Sequence, residues 1–131
     1  MKTAKGSFNV KTTPAGDASK VGETSLGKFL VQKVFAGDLQ GTSEFHMHTA
    51  GSDSGAAAYV AIEVVTGTLQ GKTGSFVLMH NGTMTKTSQQ LTITIAPELA
   101  TGELKGLEGK FEIKIVGKEH FYEMEYRLKE E

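Results

Sequence analysis

The sequence predicts an all-β protein, a single eight-stranded antiparallel barrel formed as one domain over residues 1–131. Three observations lead there. Short runs rich in Val, Ile, Thr, Phe and Tyr alternate with glycine-containing breaks along the whole chain. Sixteen glycines stand against two prolines, the balance of a strand-and-turn protein. A Gly-x-Leu-x-Gly pattern recurs at three places, which marks a repeated supersecondary unit.

The strands are expected at Lys5–Thr13, Thr24–Phe35, Leu39–His48, Ala57–Thr66, Leu69–His80, Thr83–Ile95, Leu104–Val116 and Glu119–Leu128. The second carries Leu26, Phe29, Leu30 and Val34 at helical spacing, but its neighbours are strands and its loops are short, so it reads as a strand. The third points Phe45 and Met47 inward and His46 and His48 outward. The fourth is apolar on both faces, with Val60, Ile62 and Val64 on one and Tyr59, Ala61 and Val65 around Glu63 on the other. Either face of it fits the lumen. The fifth turns Phe76, Leu78 and His80 inward and ends at an Asn81-Gly82 turn, after which the sixth begins. The seventh alternates cleanly, Phe111, Ile113 and Ile115 inward and Glu112 and Lys114 outward. The eighth puts His120, Tyr122, Met124, Tyr126 and Leu128 on one face, although Phe121, Met124 and Leu128 also lie near helical spacing. The stretch Thr49–Gly55 and the tail Lys129–Glu131 read as loose ends.

The repeat aligns Gly67-Thr-Leu69-Gln-Gly71-Lys-Thr-Gly74-Ser-Phe76 with Gly102-Glu-Leu104-Lys-Gly106-Leu-Glu-Gly109-Lys-Phe111. A copy at Gly37-Asp-Leu39-Gln-Gly41-Thr-Ser-Glu-Phe45 is one residue shorter. Leu39 and Phe45 share parity, whereas Leu69 and Phe76, like Leu104 and Phe111, do not. A β-bulge near Gly71–Gly74 and another near Gly106–Gly109 would absorb the extra residue and bend the sheet toward closure.

Composition excludes several classes. Fourteen Lys+Arg against fifteen Asp+Glu give a net charge of -1, so the basic excess of a nucleic-acid binder is missing. With no cysteine there is no disulfide framework and no thiolate chemistry. No apolar segment follows Met1 as a secretory signal, and the most apolar run, Ala56 to Val65, is too short to span a membrane, which leads to a cytoplasmic expectation. Two-sided strands without spare chain for a helical layer predict a homo-oligomer, with a dimer as the commonest form.

The runs Gly37-Asp-Leu-Gln-Gly-Thr42, Ala58-Tyr-Val-Ala-Ile-Glu63, Gly67 to His80 and His120-Phe-Tyr-Glu-Met-Glu-Tyr126 resemble a family of small bacterial proteins known only as a domain of unknown function. That family is similar in fold to the allene oxide cyclase-like β-barrels. The resemblance covers roughly Lys5 to Leu128, implies an eight-stranded antiparallel barrel, and supplies no catalytic residues. It has one departure: the loop before the last Gly-x-Leu-x-Gly, often rich in Gly, Ser and Thr, here reads Ala96-Pro-Glu-Leu-Ala-Thr101.

Candidate chemistry is sparse. His46 and His48 share a face, but no glutamate completes a metal site nearby and the parity sends both outward, so no metal and no other cofactor is expected. His80 falls on the inward face beside Phe76 and Leu78, where an imidazole is either a satisfied core group or an acid/base. Glu63 would join it as the other catalytic candidate if its face of the fourth strand lines the lumen. His120, Tyr122 and Tyr126 either fill the lumen or offer polar groups to it. The reading is a barrel that binds a small apolar or amphipathic ligand, contacted by Phe45, Tyr59, Glu63, Phe76, Leu78, His80, His120, Tyr122 and Tyr126. A filled structural barrel and a cyclase- or isomerase-like enzyme are the alternatives.

Overall fold

The computed structural model describes residues 1–129. Its strands are β1 (Lys2–Pro14), β2 (Ser19–Val21), β3 (Thr24–Gly37), β4 (Leu39–Gly51), β5 (Ala57–Leu69), β6 (Lys72–Met84), β7 (Gln89–Ile95), β8 (Thr101–Gly102), β9 (Leu107–Val116) and β10 (Glu119–Leu128). All pairings are antiparallel. The sheet runs β1-β10-β9-β7-β6-β5-β4-β3, and β1 also pairs with β3, which closes an eight-stranded barrel. Short β2 and β8 are additions at its rims, on β3 and β6. Among the described residues no helix is long and apolar enough to cross a membrane.

Both segments with helical spacing are strands, because each is held on two sides by neighbours: β3 by β1 and β4, β10 by β1 and β9. Local periodicity yields to that pairing. The Asn81-Gly82 turn is not formed. Both residues lie inside β6, opposite Val60 and Tyr59, and the chain turns later, where Thr85 N–H donates to Ser88 C=O at 2.8 Å and the Thr85 hydroxyl receives the Ser88 N–H. His80 is therefore mid-strand. The expected loop at Thr49–Gly55 shrinks as well, since β4 continues to Gly51 and Ser52 N–H reaches Ala56 C=O. At the tail, Lys129 N–H donates to Gly106 C=O, while Glu130 and Glu131 lie outside the described residues.

The expected bulges are replaced by something simpler. The β5–β6 register is unbroken through Gly74 and the β9–β10 register through Gly109. Leu69 and Phe76 lie on different strands, joined by the two-residue turn Gln70-Gly71 with φ values of 46° and 90°. Such a turn matches the strand twist and suits glycine at its second position. Residues opposite each other across a hairpin share a face, so opposite parity is what brings Leu69 and Phe76 inward together. In the other long copy Leu104 belongs to the turns before β9, and Leu107 and Phe111 share parity within it. The irregular stretch is instead residues 96–100, between the β6 pairings of β7 and β8.

The lumen is divided along its length. One end is packed solid by Leu39, Leu69, Phe76, Leu78, Phe111, Met124 and Tyr126, and the connection from β7 to β9 folds Ala100 and Leu104 into the same core. Nearer the other end Val31, Phe45 and Ala61 form a smaller cluster. Ile115 was expected inside but is 64% exposed, because it sits where β9 runs out beyond the barrel wall beside the Gly117 turn.

Candidate functional site

Between the two apolar clusters lies a group of buried polar side chains. The Glu63 face of β5 is the inner one: Ala61, Glu63 and Val65 are buried, and Val60, Ile62 and Val64 are exposed. Glu63 is completely enclosed. One carboxylate oxygen, Oε2, accepts from the Ser43 hydroxyl at 2.5 Å. The other, Oε1, meets His80 Nε2 at 2.7 Å and Lys33 Nζ at 3.2 Å. Strand geometry accounts for the convergence. Val31, Lys33 and Phe35 alternate inward on β3, Ser43 lies directly opposite Lys33 on β4, and His80 lies opposite Ala61, one inward step from Glu63.

Apolar walls hold this group. The Lys33 ammonium sits 5.0 Å from the Phe8 ring centroid, 5.2 Å from Phe45 and 5.9 Å from Phe35, three faces that replace part of its lost hydration. The Phe45 ring stacks on His80 at 5.4 Å. Burial pushes the Glu63 carboxyl up, but the His80 hydrogen bond, the Lys33 charge and the Ser43 hydroxyl outweigh it and hold it below its ordinary value. Lys33 goes the other way: burial lowers its pKa, and Glu63 only partly restores it. The asymmetry follows from the partners, three donors for the carboxylate and one acceptor for the ammonium. The result is a dry, fully ionised carboxylate holding an imidazole.

Two openings adjoin the group. At the unfilled end, a cavity of about 230 Å³ is bounded by inward-facing Met47, Tyr59, Gly82, Met84 and Leu91, among others. Tyr59 forms its base and stands beside His80, with ring centroids 6.4 Å apart. The phenol lies across Gly82, its partner on β6, where any side chain would overlap the ring. Burial first and the Glu63 charge second push the Tyr59 pKa up, so the hydroxyl keeps its proton. The second opening is a cleft in the outer wall between β4 and β5, lined by Phe45, His46, His48, Val60, Ile62 and His80. There the register passes from Glu44–Val64 to Met47–Ala61, with no paired residues at Phe45 or His46.

A family profile described as "Protein of unknown function (DUF3224)" matches residues 4–126. The chain belongs to the DUF3224 family. This DUF3224 barrel is similar to the crystal structure of a protein with unknown function of the same family from Shewanella oneidensis MR-1. The two share 40% identity over 100% of this chain and 99% of that one, with a TM-score of 0.93. No curated protein matches the chain.

In the DUF3224 barrel the residues named from sequence fall into three places. Phe45, Tyr59, Glu63 and His80 are brought together. Phe76, Leu78, Tyr122 and Tyr126 lie in the packed core, away from the cavity. There the Tyr122 hydroxyl accepts from Leu39 N–H at 2.8 Å and reaches Ala36 C=O at 2.9 Å, and the Tyr126 hydroxyl donates to Gln70 Oε1. His120 packs on Phe8, at 5.3 Å between rings, and borders a separate groove between β1 and β10. His46 and His48 are exposed on the outer face, and no three His, Cys, Asp or Glu among the described residues come together as a metal site. Lys33 and Ser43 escape a sequence reading that looks for His and carboxylates. Their signal was parity alone: Lys33 alternates with Val31 and Phe35, and Ser43 with Leu39 and Phe45.

Proposed function

We propose that the DUF3224 barrel binds a small apolar or amphipathic molecule at the unfilled end of its lumen. The observation behind this is the division of the interior: one half is packed, and the other holds a cavity of about 230 Å³ floored by Tyr59 above the Glu63–His80 pair. Eight-stranded barrels have room for one small ligand. This cavity is smaller than the usual ~300–1,000 Å³ ligand site, which limits the ligand to a compact molecule. Its walls supply apolar contact through Met47, Met84 and Leu91, and Tyr59 supplies a protonated hydroxyl for a polar end.

The test is saturation-transfer NMR with 1-hexanol and with hexanoate. Wild-type protein should transfer magnetisation to the alkyl protons of one or both, and Leu91→Arg should abolish the transfer while keeping the fold, since Leu91 is 42% exposed at the rim. Equal signals from the two proteins would contradict the assignment.

A second reading concerns assembly. The outer face of β5 and its neighbour β6 carries Val60, Ile62, Val64 and Met79, each at least 42% exposed. This stripe is the physical form of the two-sided strands in the sequence, and it supports a homodimer in which two copies cover it about a twofold axis.

A further inference from the structure

We propose that the cleft through the barrel wall between β4 and β5 binds a small phenol, held by its hydroxyl donating to His80 Nδ1. The site is separate from the cavity at Tyr59 and does not depend on it.

The first support is the form of the opening. Inward-facing Phe45, Ala61 and His80 line the cleft together with outward-facing His46, Val60 and Ile62, so it passes through the wall instead of lying on it. The strands part there: between the Glu44–Val64 and Met47–Ala61 pairs, Phe45 and His46 have no partners on β5. Ala61, opposite His80 on β6, adds only a methyl group, so little side chain fills the inner end. The cleft measures about 560 Å³, within the usual ~300–1,000 Å³ of a ligand site.

The second support is the imidazole at its inner end. The His80 side chain is 3% exposed, and its Nε2 is taken by the Glu63 carboxylate at 2.7 Å. An ionised carboxylate only accepts, so in the neutral ring the proton sits on Nε2 and Nδ1 keeps a lone pair. No described residue donates to Nδ1, whereas every fully buried side-chain nitrogen and oxygen among the described residues has a partner. Nδ1 therefore meets open space, and the cleft is the opening that His80 lines. An acceptor held this deep in apolar surroundings gains from a donor, and the Glu63 charge on the far nitrogen strengthens it.

The chemical class of the ligand follows from the acceptor and the walls. A donor is required, which excludes ethers and ionised carboxylates. The surface around it is apolar, with Val60, Ile62 and Met79 on the strands and the Phe45 ring stacked on His80 at 5.4 Å. A phenol offers an aromatic ring to these walls and a hydroxyl with a pKa of about 10, a stronger donor than an alkanol. Val60, Ile62 and Met79 belong to the apolar face read above as a dimer contact, so a second copy seated there would roof the bound ring.

The experiment titrates protein carrying 15N in its histidine rings with 4-fluorophenol and with 4-fluoroanisole, the same ring without the donor. It is run at about pH 8, where an ordinary imidazole is neutral, and binding is read by fluorine NMR. With 4-fluorophenol the His80 Nδ1 signal should move upfield and saturate, while Nε2 keeps its proton. 4-Fluoroanisole should bind about 10-fold more weakly, the loss of one hydrogen bond. His80→Phe should erase that preference. Val60→Arg, at a position 53% exposed at the mouth of the cleft, should weaken 4-fluorophenol at least as much with the fold intact. Equal binding of the two compounds, an Nδ1 signal that does not move, or Val60→Arg binding like wild type each overturns the cleft site and leaves the cavity at Tyr59 standing. If His80→Phe fails to fold, the wild-type Nδ1 shift and Val60→Arg still decide.

Discussion

Glu63 has no contact with water, three donors on two oxygens, and a lysine that depends on it in return. Removing its charge leaves Lys33 buried and unpaired, a loss of about 3–5 kcal/mol. Glu63→Gln should therefore unfold at markedly lower urea at pH 7. The folded pKa of Glu63 lies below its unfolded value, so its contribution is fully present above the ordinary carboxylate value of 4.5 and drains away as pH falls through the folded one. The gap between wild type and Glu63→Gln should accordingly narrow below pH 4.5, and a gap that stays constant into acid would contradict the charge network. At this scale the sequence was partly legible. Alternation against Phe111, Ile113 and Ile115 placed His80 inside. It could not orient Glu63, because β5 is apolar on both faces, and only pairing across the barrel decides which side is buried. Ile115 shows the limit of alternation, which gives a direction but not how far along its strand the barrel wall extends.

The elements were legible as strands but not at their ends. Gln70-Gly71 turns the chain in two residues, so a repeat read as one bulged strand is in fact split across a hairpin, and Asn81-Gly82, a strong turn dipeptide, is overridden by pairing with β5 on one side and β7 on the other. The closure of the barrel is uneven. Along β4–β5 and β5–β6 the pairing is extensive, but β7 and β9 meet at Thr94–Lys110 alone. The residues between them, 96–106, instead seal the packed end through Ala100 and Leu104. That seam should open first, because few hydrogen bonds hold it. Native-state hydrogen exchange should show the amides of Gln89–Ile95 losing protection before those of the central β5 and β6 strands. Uniform protection around the barrel would contradict the seam.

For the whole molecule, the barrel separates tasks by depth: a packed end that carries stability, a buried polar layer at Lys33, Glu63 and His80, and a cavity above it. The outside is also unequal, with one apolar stripe on β5 and β6. If two copies meet there, sedimentation equilibrium should give about twice the 14.0 kDa chain mass. Ile62→Lys, at a position 66% exposed, should return the protein to a monomer without loss of fold, whereas a wild-type monomer at micromolar concentration would remove this reading. The methionines give the most direct view of the central claim, that the ligand enters the unfilled end of the lumen. Met47 and Met84 border the cavity, Met124 lies in the packed core, and Met79 lies on the outer face. In a titration of methyl-labelled protein with cyclohexanone, the Met47 and Met84 methyl signals should shift together and saturate while Met124 and Met79 stay still. Shifts confined to Met79, or none at Met47 and Met84, would place the ligand elsewhere and contradict the assignment.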